Sequence, residues 1–137
     1  MEKVFVDTDI LMDLLSARQP FYNAAAHLFS LADEGKIKLY ISSLSFSNLH
    51  YILTRQFNAK EARKKLMQFK TLVTVVAVGD KIVDLALSSD FKDFEDAMQY
   101  YAAIEHKLQI LITRNLADYK KADILVMTAD QFLVSQF

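Results

Sequence analysis

Three aspartates in this 137-residue sequence lie where carboxylates can do chemistry. Asp7 follows the apolar run VFV, Asp118 comes after the apolar run ILI, and Asp96 lies near the start of a helical pattern. Ligands of open parallel sheets gather beyond the carboxyl ends of the strands, so we expect these side chains to converge there. Converging carboxylates repel one another unless a cation neutralises them, and all-oxygen ligands favour Mg²⁺ or Mn²⁺. We therefore predict a divalent-metal site.

The chemistry that such a site favours is metal-assisted hydrolysis of a phosphodiester. A bound divalent ion lowers the pKa of a water molecule, orients that water and stabilises the leaving oxygen. We assign Asp7, Asp96 and Asp118 as both catalytic and metal-binding residues. Taken alone, Asp118 resembles an ordinary loop or cap residue, and Asp96 resembles a first-turn acid favoured by the helix dipole. Only their convergence favours the metal site.

Asp9 lies two residues after Asp7 and has two interpretations. As the N-cap of the first helix, it would accept hydrogen bonds from free backbone N–H groups. As a ligand, it would join the metal site. We predict the cap role and retain Asp9 as a supporting candidate.

The elements that must position these acids are short apolar runs that alternate with helix-period segments. Alternation of this kind predicts a mostly parallel five-stranded sheet covered by helices on both faces, an α/β fold. No linker or repeat divides the chain, so we expect a single domain over residues 1–137. The predicted strands are residues 3–7, 38–41, 72–78, 110–112 and 124–127.

Composition limits the classes of function. The sequence is 53% hydrophobic and has no cysteine, which excludes disulfides, thiolate zinc sites and cysteine nucleophiles. A formal net charge of −1 provides no overall positive field, so a nucleic acid would have to be held by local patches and metal ions. The N-terminus lacks a signal-peptide pattern, and no apolar run is long enough to span a bilayer. We expect a cytoplasmic protein with no membrane partner.

Two surface features have an ordinary and a functional interpretation. The basic segment 60–70 is expected to be a solvated helix face, and contact with RNA phosphates is the alternative. The aromatic side chains near Asp96 are expected to pack in the core or a dimer seam rather than to stack on bases. These aromatic residues are Phe91, Phe94, Tyr100 and Tyr101.

The segments VDTDILMDLL, DFEDAMQ and ITRNLADY together resemble the PIN domain, specifically the small VapC-type ribonuclease toxins. The resemblance covers nearly the whole chain in the same order and spacing. It implies a PIN-like three-layer α/β/α sandwich and Mg²⁺- or Mn²⁺-dependent endoribonuclease activity on RNA. It also implies a homodimer inhibited by a small antitoxin. The family's acids match Asp7, Asp96 and Asp118, and Thr113 and Asn115 match polar residues that orient its site.

One position departs from the family pattern. Many PIN nucleases carry an acid in the helix after the second strand, and this chain has Asn48 there. The amide oxygen of Asn48 can ligate a metal but adds no negative charge, so the resemblance implies weaker metal binding. Asp93, one turn before Asp96, is the acid best placed to compensate. Glu95 lies about 100° from Asp96 around the helix, so we expect it to face away from the site.

Two other functions fit parts of the sequence. A PIN-fold binding or regulatory module with weak or no activity is compatible with Asn48. A phosphatase of the haloacid-dehalogenase type would use Asp7 of VFVDTDI as nucleophile and Asp9 as general acid. The phosphatase is disfavoured because the lysine it needs has no good match in Lys120 or Lys121, and because the chain is short for that fold and its cap.

Overall fold

Five short apolar strands form one parallel sheet in the computed structural model, which describes residues 1–120 and 122–136. Lys121 lies outside the described residues. The strand order is β3-β2-β1-β4-β5, and every pairing of the described strands is parallel, which confirms the predicted sheet. The strands are β1 (Glu2–Val6), β2 (Ile37–Ser42), β3 (Val73–Val76), β4 (Ile110–Ile112) and β5 (Leu125–Met127).

Helices connect the strands, and their starts follow local capping chemistry. Ser42 accepts a hydrogen bond from Ser45 N, Asn58 caps the next helix, and Thr128 forms a capping box with Gln131. Across both described ranges, no helix has the length and apolar character needed to cross a membrane. The α-helices are α1 (Thr8–Leu15), α2 (Tyr22–Asp33), α3 (Ser43–Gln56), α4 (Ala59–Lys70), α5 (Asp80–Leu87), α6 (Phe94–Glu105) and α7 (Ala129–Ser135), with a 3₁₀ turn at Leu116–Tyr119.

The sheet separates two hydrophobic cores. Alternate residues of β1 face opposite ways because side chains alternate across a strand. Val4 and Val6 pack into a core with α1–α4 and α7, whereas Phe5 packs into a second core with α5 and α6. All three are fully buried. The result is the expected three-layer α/β/α sandwich, with β1 at its centre.

The strand order places a crevice beside the end of β1. The chain leaves β1 toward β2 and β3, and then returns to the other side of β1 with β4 and β5. A reversal of winding of this kind opens a crevice at the carboxyl ends of the strands. Asp7 follows β1 directly, and its N–H donates to the Ile112 carbonyl at 2.9 Å. The first predicted acid is therefore held at this crevice.

Candidate active site

The Asp7 carboxylate accepts four hydrogen bonds at the end of β1. Its side chain is buried, with only 4% of the residue exposed. Oδ1 accepts from the Thr8 N–H at 2.6 Å and from Gln99 Nε2 at 2.8 Å. Oδ2 accepts from Thr113 Oγ1 at 2.8 Å and from the Tyr119 hydroxyl at 3.2 Å. These donors stabilise a carboxylate whose pKa burial would otherwise raise further.

The N-cap of α1 is Asp7, so the prediction that Asp9 is the cap was wrong. Asp7 has extended backbone angles, and its side chain accepts from the Thr8 N–H. The helix begins directly at Thr8, without the intervening turn that would have placed Asp9 before it. Asp9 is instead the second helical residue. Its Oδ2 accepts from the Arg114 N–H at 3.1 Å and from Asn115 Nδ2 at 3.3 Å.

Asp9 carries an unsatisfied oxygen next to Asp7. All hydrogen bonds to its side chain end on Oδ2, and Oδ1 is buried with no hydrogen-bond partner. Burial first, and the charge of Asp7 second, raise the pKa of Asp9 to about 7. An orphaned carboxylate oxygen in an acidic environment is the kind of group that a cation satisfies.

Asp96 lies in the first turn of α6, where Asp93 positions it. Asp93 is the N-cap of this helix, and its Oδ1 accepts from the Asp96 N–H at 2.9 Å. The helix therefore begins at Phe94, so Asp96 lies near its start as predicted. Burial, followed by the charges of Asp7, Asp93 and Asp118, raises the pKa of Asp96 to about 7.

Tyr119 joins the first two predicted acids. Its hydroxyl lies 3.2 Å from Asp7 Oδ2 and 3.3 Å from Asp96 Oδ1. A phenol has one proton, so it can donate to only one of these carboxylates at a time. Burial and the two neighbouring charges raise the pKa of Tyr119 well above its usual range, so the hydroxyl stays protonated. The Tyr119 ring is fixed by an edge contact with Phe91, whose centroid is 6.0 Å away.

The third predicted acid is less closely engaged. Asp118 is exposed on the 3₁₀ turn and acts on the site through its charge, which raises the pKa of Asp96. Across residues 1–120 and 122–136, no group of three or more His, Asp or Glu side chains is arranged as a ready metal site. The structure thus brings Asp7, Asp9 and Asp96 together and leaves Asp118 at the margin.

Asn48 and Glu95 form a pair beside these acids. Asn48 Nδ2 donates to Glu95 Oε1 at 2.7 Å. Burial, and then the charges of Asp7 and Asp93, raise the pKa of Glu95. The expectation that Glu95 faces away from the site was wrong, because its long side chain turns toward Asn48 from the first turn of α6. The neutral Asn48 therefore has a carboxylate as its direct neighbour.

Two residues of the site were missed at the level of sequence. Gln99 is 1% exposed and donates to Asp7, although its own Oε1 has no partner in the described structure. It lies three residues after Asp96, so helical spacing places both on one face and offered a usable signal. Tyr119 follows Asp118 directly, and nothing in its local sequence indicated that it would contact two acids from other elements.

The loop that holds Thr113 and Asn115 is fixed by its middle residue. Arg114 Nε donates to Asp13 Oδ2 at 2.8 Å, and its guanidinium lies 4.0 Å from the centroid of the Phe21 ring. Asp13 is almost fully buried, and its pKa is raised by burial and lowered in part by Arg114. This ion pair attaches the loop to α1, so both polar side chains of the loop face the acids.

Comparison with known proteins identifies the family and the fold. The family model described as the PIN domain matches residues 3–117. The chain is 24% identical over 136 residues to Ribonuclease VapC1 of Aquifex aeolicus (strain VF5). The alignment covers 96% of this chain and 93% of that protein.

Solved structures share the fold at low sequence identity. The DNA-bound VapBC of Salmonella typhimurium superposes with a TM-score of 0.69 at 15% identity, covering 94% of this chain and 99% of that one. Mycobacterium tuberculosis VapC20, described as a sarcin-ricin loop cleaving toxin, has a TM-score of 0.63 at 19% identity, covering 79% and 86%. With the family model spanning most of its length, this chain belongs to the PIN domain family.

Proposed function

We propose that this protein is a metal-dependent endoribonuclease of the VapC type that hydrolyses phosphodiester bonds of RNA. The observation that carries the proposal is the pair Asp7 and Asp96, held by one Tyr119 hydroxyl at the carboxyl end of the central strand. Support comes from the relative named Ribonuclease VapC1 and from the structural neighbour described as a sarcin-ricin loop cleaving toxin.

The donor set fits Mg²⁺ or Mn²⁺. Its candidate ligands are all carboxylate oxygens, and the described site has both an orphaned buried oxygen on Asp9 and two carboxylates sharing one phenol proton. We assign Asp7, Asp96 and Asp118 as the residues that would hold the ion. When bound, such an ion lowers the pKa of a water and stabilises the leaving oxygen.

The chain's other residues orient these acids. Thr113 and Gln99 hold the two oxygens of Asp7 in place from opposite sides. Asn115 and the Arg114 N–H orient Asp9, and Asp93 fixes the start of α6 beneath Asp96. Such outer contacts typically change metal affinity or activity by about 10- to 100-fold when removed.

Asn48 contributes by holding Glu95 close to the acids. The family acid that Asn48 replaces is supplied from α6 instead of α3, because the Glu95 carboxylate is within the field of Asp7. In this proposal the departure at Asn48 relocates a negative charge rather than removing it. We therefore propose that the site does not need an acid at position 48.

The proposal extends to partners and context. We propose that the chain acts as a single cytoplasmic domain, as a homodimer, and as the toxin of a pair with a small antitoxin. Support comes from structural neighbours that are toxin–antitoxin assemblies, including the VapBC of Salmonella typhimurium. Neither alternative function gains support.

The direct test is cleavage of a labelled RNA by purified protein with Mg²⁺, Mn²⁺ or EDTA. We expect cleavage with either metal, none with EDTA, and a loss of about 100-fold or more for Asp96→Asn. Asp84→Asn, an exposed acid on α5, is the matched control and should cleave like the parent. Metal-dependent activity that survives Asp96→Asn unchanged would refute the proposed site.

A further inference from the structure

A groove lies between the carboxyl-terminal halves of α1 and α3. At this end of the helices, Ser16 Oγ donates to Gln56 Oε1 at 2.8 Å. The same two helices also meet nearer the acids, where Thr8 Oγ1 lies 2.7 Å from Ser45 Oγ, next to Asp7. Ser16 is about 12 Å from Thr8 along α1, since a helix rises 1.5 Å per residue. We call this space the α1–α3 groove; its volume is about 530 Å³, and its lining includes Met12, Ser16, Arg18, Tyr51, Ile52 and Arg55.

The rim of the α1–α3 groove is cationic and aromatic. Tyr51 is 62% exposed, and both Arg18 and Arg55 are exposed. Arg55 Nη1 donates to the Tyr51 hydroxyl at 3.1 Å, and its guanidinium carbon is 5.7 Å from the centre of that ring. Within the described residues, neither arginine forms a salt bridge with a carboxylate. Arg18 is near enough to Asp13 to lower the pKa of that carboxyl, but both arginine side chains are exposed and make no direct ion pair there, so they can still bind an anion.

Helical spacing aligns this rim with the acid site. Asn48, Tyr51 and Arg55 follow one another at i, i+3 and i+7, so they share one face of α3. Asn48 contacts Glu95 within the acid cluster. Tyr51 is one helical turn further along this face, and Arg55 is two turns along it. A linear polymer that passes over the acids can continue along this face.

We infer that the α1–α3 groove binds single-stranded RNA next to the cleaved phosphodiester, with Arg18 and Arg55 on phosphates and Tyr51 stacked on a base. The inference rests on the proposed ribonuclease function and adds a substrate-binding surface to it. The acids repel phosphate, and the chain's net charge is −1, so the strand needs local cations outside the site. An acidic peptide would satisfy the arginines but offers no base to the exposed Tyr51 ring, which favours RNA.

The test is binding of a labelled single-stranded RNA oligonucleotide of mixed sequence, measured by fluorescence anisotropy in EDTA at several salt concentrations. Arg18→Ala with Arg55→Ala should raise the Kd about tenfold or more and flatten the slope of log K against log salt by about 0.7 per arginine. The matching Arg→Lys pair should retain the slope, because it keeps the charge. Tyr51→Leu should weaken binding about tenfold, and Tyr51→Phe should restore it.

A matched control lies on α4. Arg63→Ala with Lys64→Ala removes the same charge from exposed positions outside the groove and should change the Kd much less. Equal losses from both double variants would overturn the inference in favour of general electrostatic attraction. If the groove variants lose binding to polyglutamate but bind RNA like the parent, the groove binds an acidic peptide and the inference is overturned.

Failure of the groove and failure of the proposed function give different results. If the parent cleaves RNA with Mg²⁺ or Mn²⁺ but the groove variants match it in both Kd and kcat/KM, the groove inference falls and the nuclease stands. If groove variants lose RNA binding while no metal supports cleavage, the groove stands and the nuclease falls.

Discussion

Asp7 and Asp118 were predicted to play equal parts, and the structure gives them different surroundings. Asp7 is buried at the carboxyl end of the central strand. Its side chain accepts four hydrogen bonds, one from Thr8 in its own helix and three from residues distant in the chain. Asp118 is exposed on a short 3₁₀ turn and reaches the cluster only through its charge. A strand end gives a carboxylate a fixed direction before any ligand arrives, whereas an exposed turn leaves its direction to be set by the ligand.

The strongest test of this contrast compares Asp7→Asn with Asp118→Asn. We expect Asp7→Asn to reduce metal-dependent RNA cleavage by about 100-fold or more, because it removes the charge that every neighbouring donor supports. Asp118→Asn should reduce the cleavage rate by only about tenfold, and a higher Mg²⁺ concentration should restore part of that rate. Cleavage rates over a Mg²⁺ titration measure both, and a larger loss at Asp118 would reverse the comparison.

Thr113→Val tests whether the fixed direction of Asp7 matters apart from its charge. Thr113 Oγ1 donates to Asp7 and also accepts from the Asn115 N–H at 3.1 Å, in a fully buried position. Valine has the same shape but leaves the Asn115 N–H unpaired and removes one of the two donors to Asp7 Oδ2, so we expect about 10-fold slower cleavage and a loss of about 1–3 kcal/mol in the free energy of unfolding. Thr71→Val at an exposed helix end is the control for urea unfolding, and equal losses would contradict this role.

The pH dependence of the free energy of unfolding tests the acids that burial affects, Asp9 and Asp96. Asp9 and Asp96 have folded-state pKa values of about 7, above their ordinary values near 4. Raised carboxyl pKa values mean that the folded protein binds more protons than the unfolded chain between about pH 4 and 7. Metal-free protein should therefore lose stability as the pH rises through that window.

The measurement is the urea midpoint in EDTA at pH 5.5 and pH 8. We expect the lower midpoint at pH 8, with a smaller difference in Asp96→Asn, and Mg²⁺ should raise the midpoint at pH 8. A midpoint that rises from pH 5.5 to pH 8 in EDTA would have the opposite sign and contradict the assigned shifts.

The smallest expected effect concerns the pair Asn48 and Glu95. Glu95→Gln should weaken apparent Mg²⁺ affinity several-fold, because it removes a charge within the field of Asp7. The double variant Asn48→Asp with Glu95→Gln moves the carboxylate from α6 to α3 and should restore much of that affinity. If the exchange behaves like Glu95→Gln alone, the position of the charge matters more than its presence.

Local sequence signals predicted the scaffold of the site well. The five strands follow from short apolar runs, and the helix that carries Asp96 follows from its apolar periodicity. Both the strand that carries Asp7 and the helix that begins near Asp96 were therefore found. The junctions between strands and helices were less predictable. The chain passes from β1 into α1 without a turn, so Asp7 rather than Asp9 is the N-cap of α1.

The contacts that complete the site come from tertiary packing and have no local signal. Tyr119 reaches Asp7 and Asp96 from a turn that is 112 and 23 residues away from them, respectively. Glu95 is directed by Asn48, which is 47 residues earlier in the chain. Neither partner lies within the span over which hydrophobic periodicity or capping patterns operate. Only Gln99, one helical turn after Asp96, could have been inferred from spacing.

The single proton of Tyr119 has a consequence for any effort to engineer this protein. Two carboxylates share that one proton, and Asp9 has an oxygen without a partner. The metal-free site therefore has more carboxylate acceptors than hydrogen-bond donors. Neutral substitutions at Asp9 or Asp96, whose charged forms burial disfavours, should therefore raise the resistance of metal-free protein to unfolding. A screen for thermal tolerance alone would accordingly enrich variants that have lost the carboxylates. Activity has to be selected together with stability if the site is to survive.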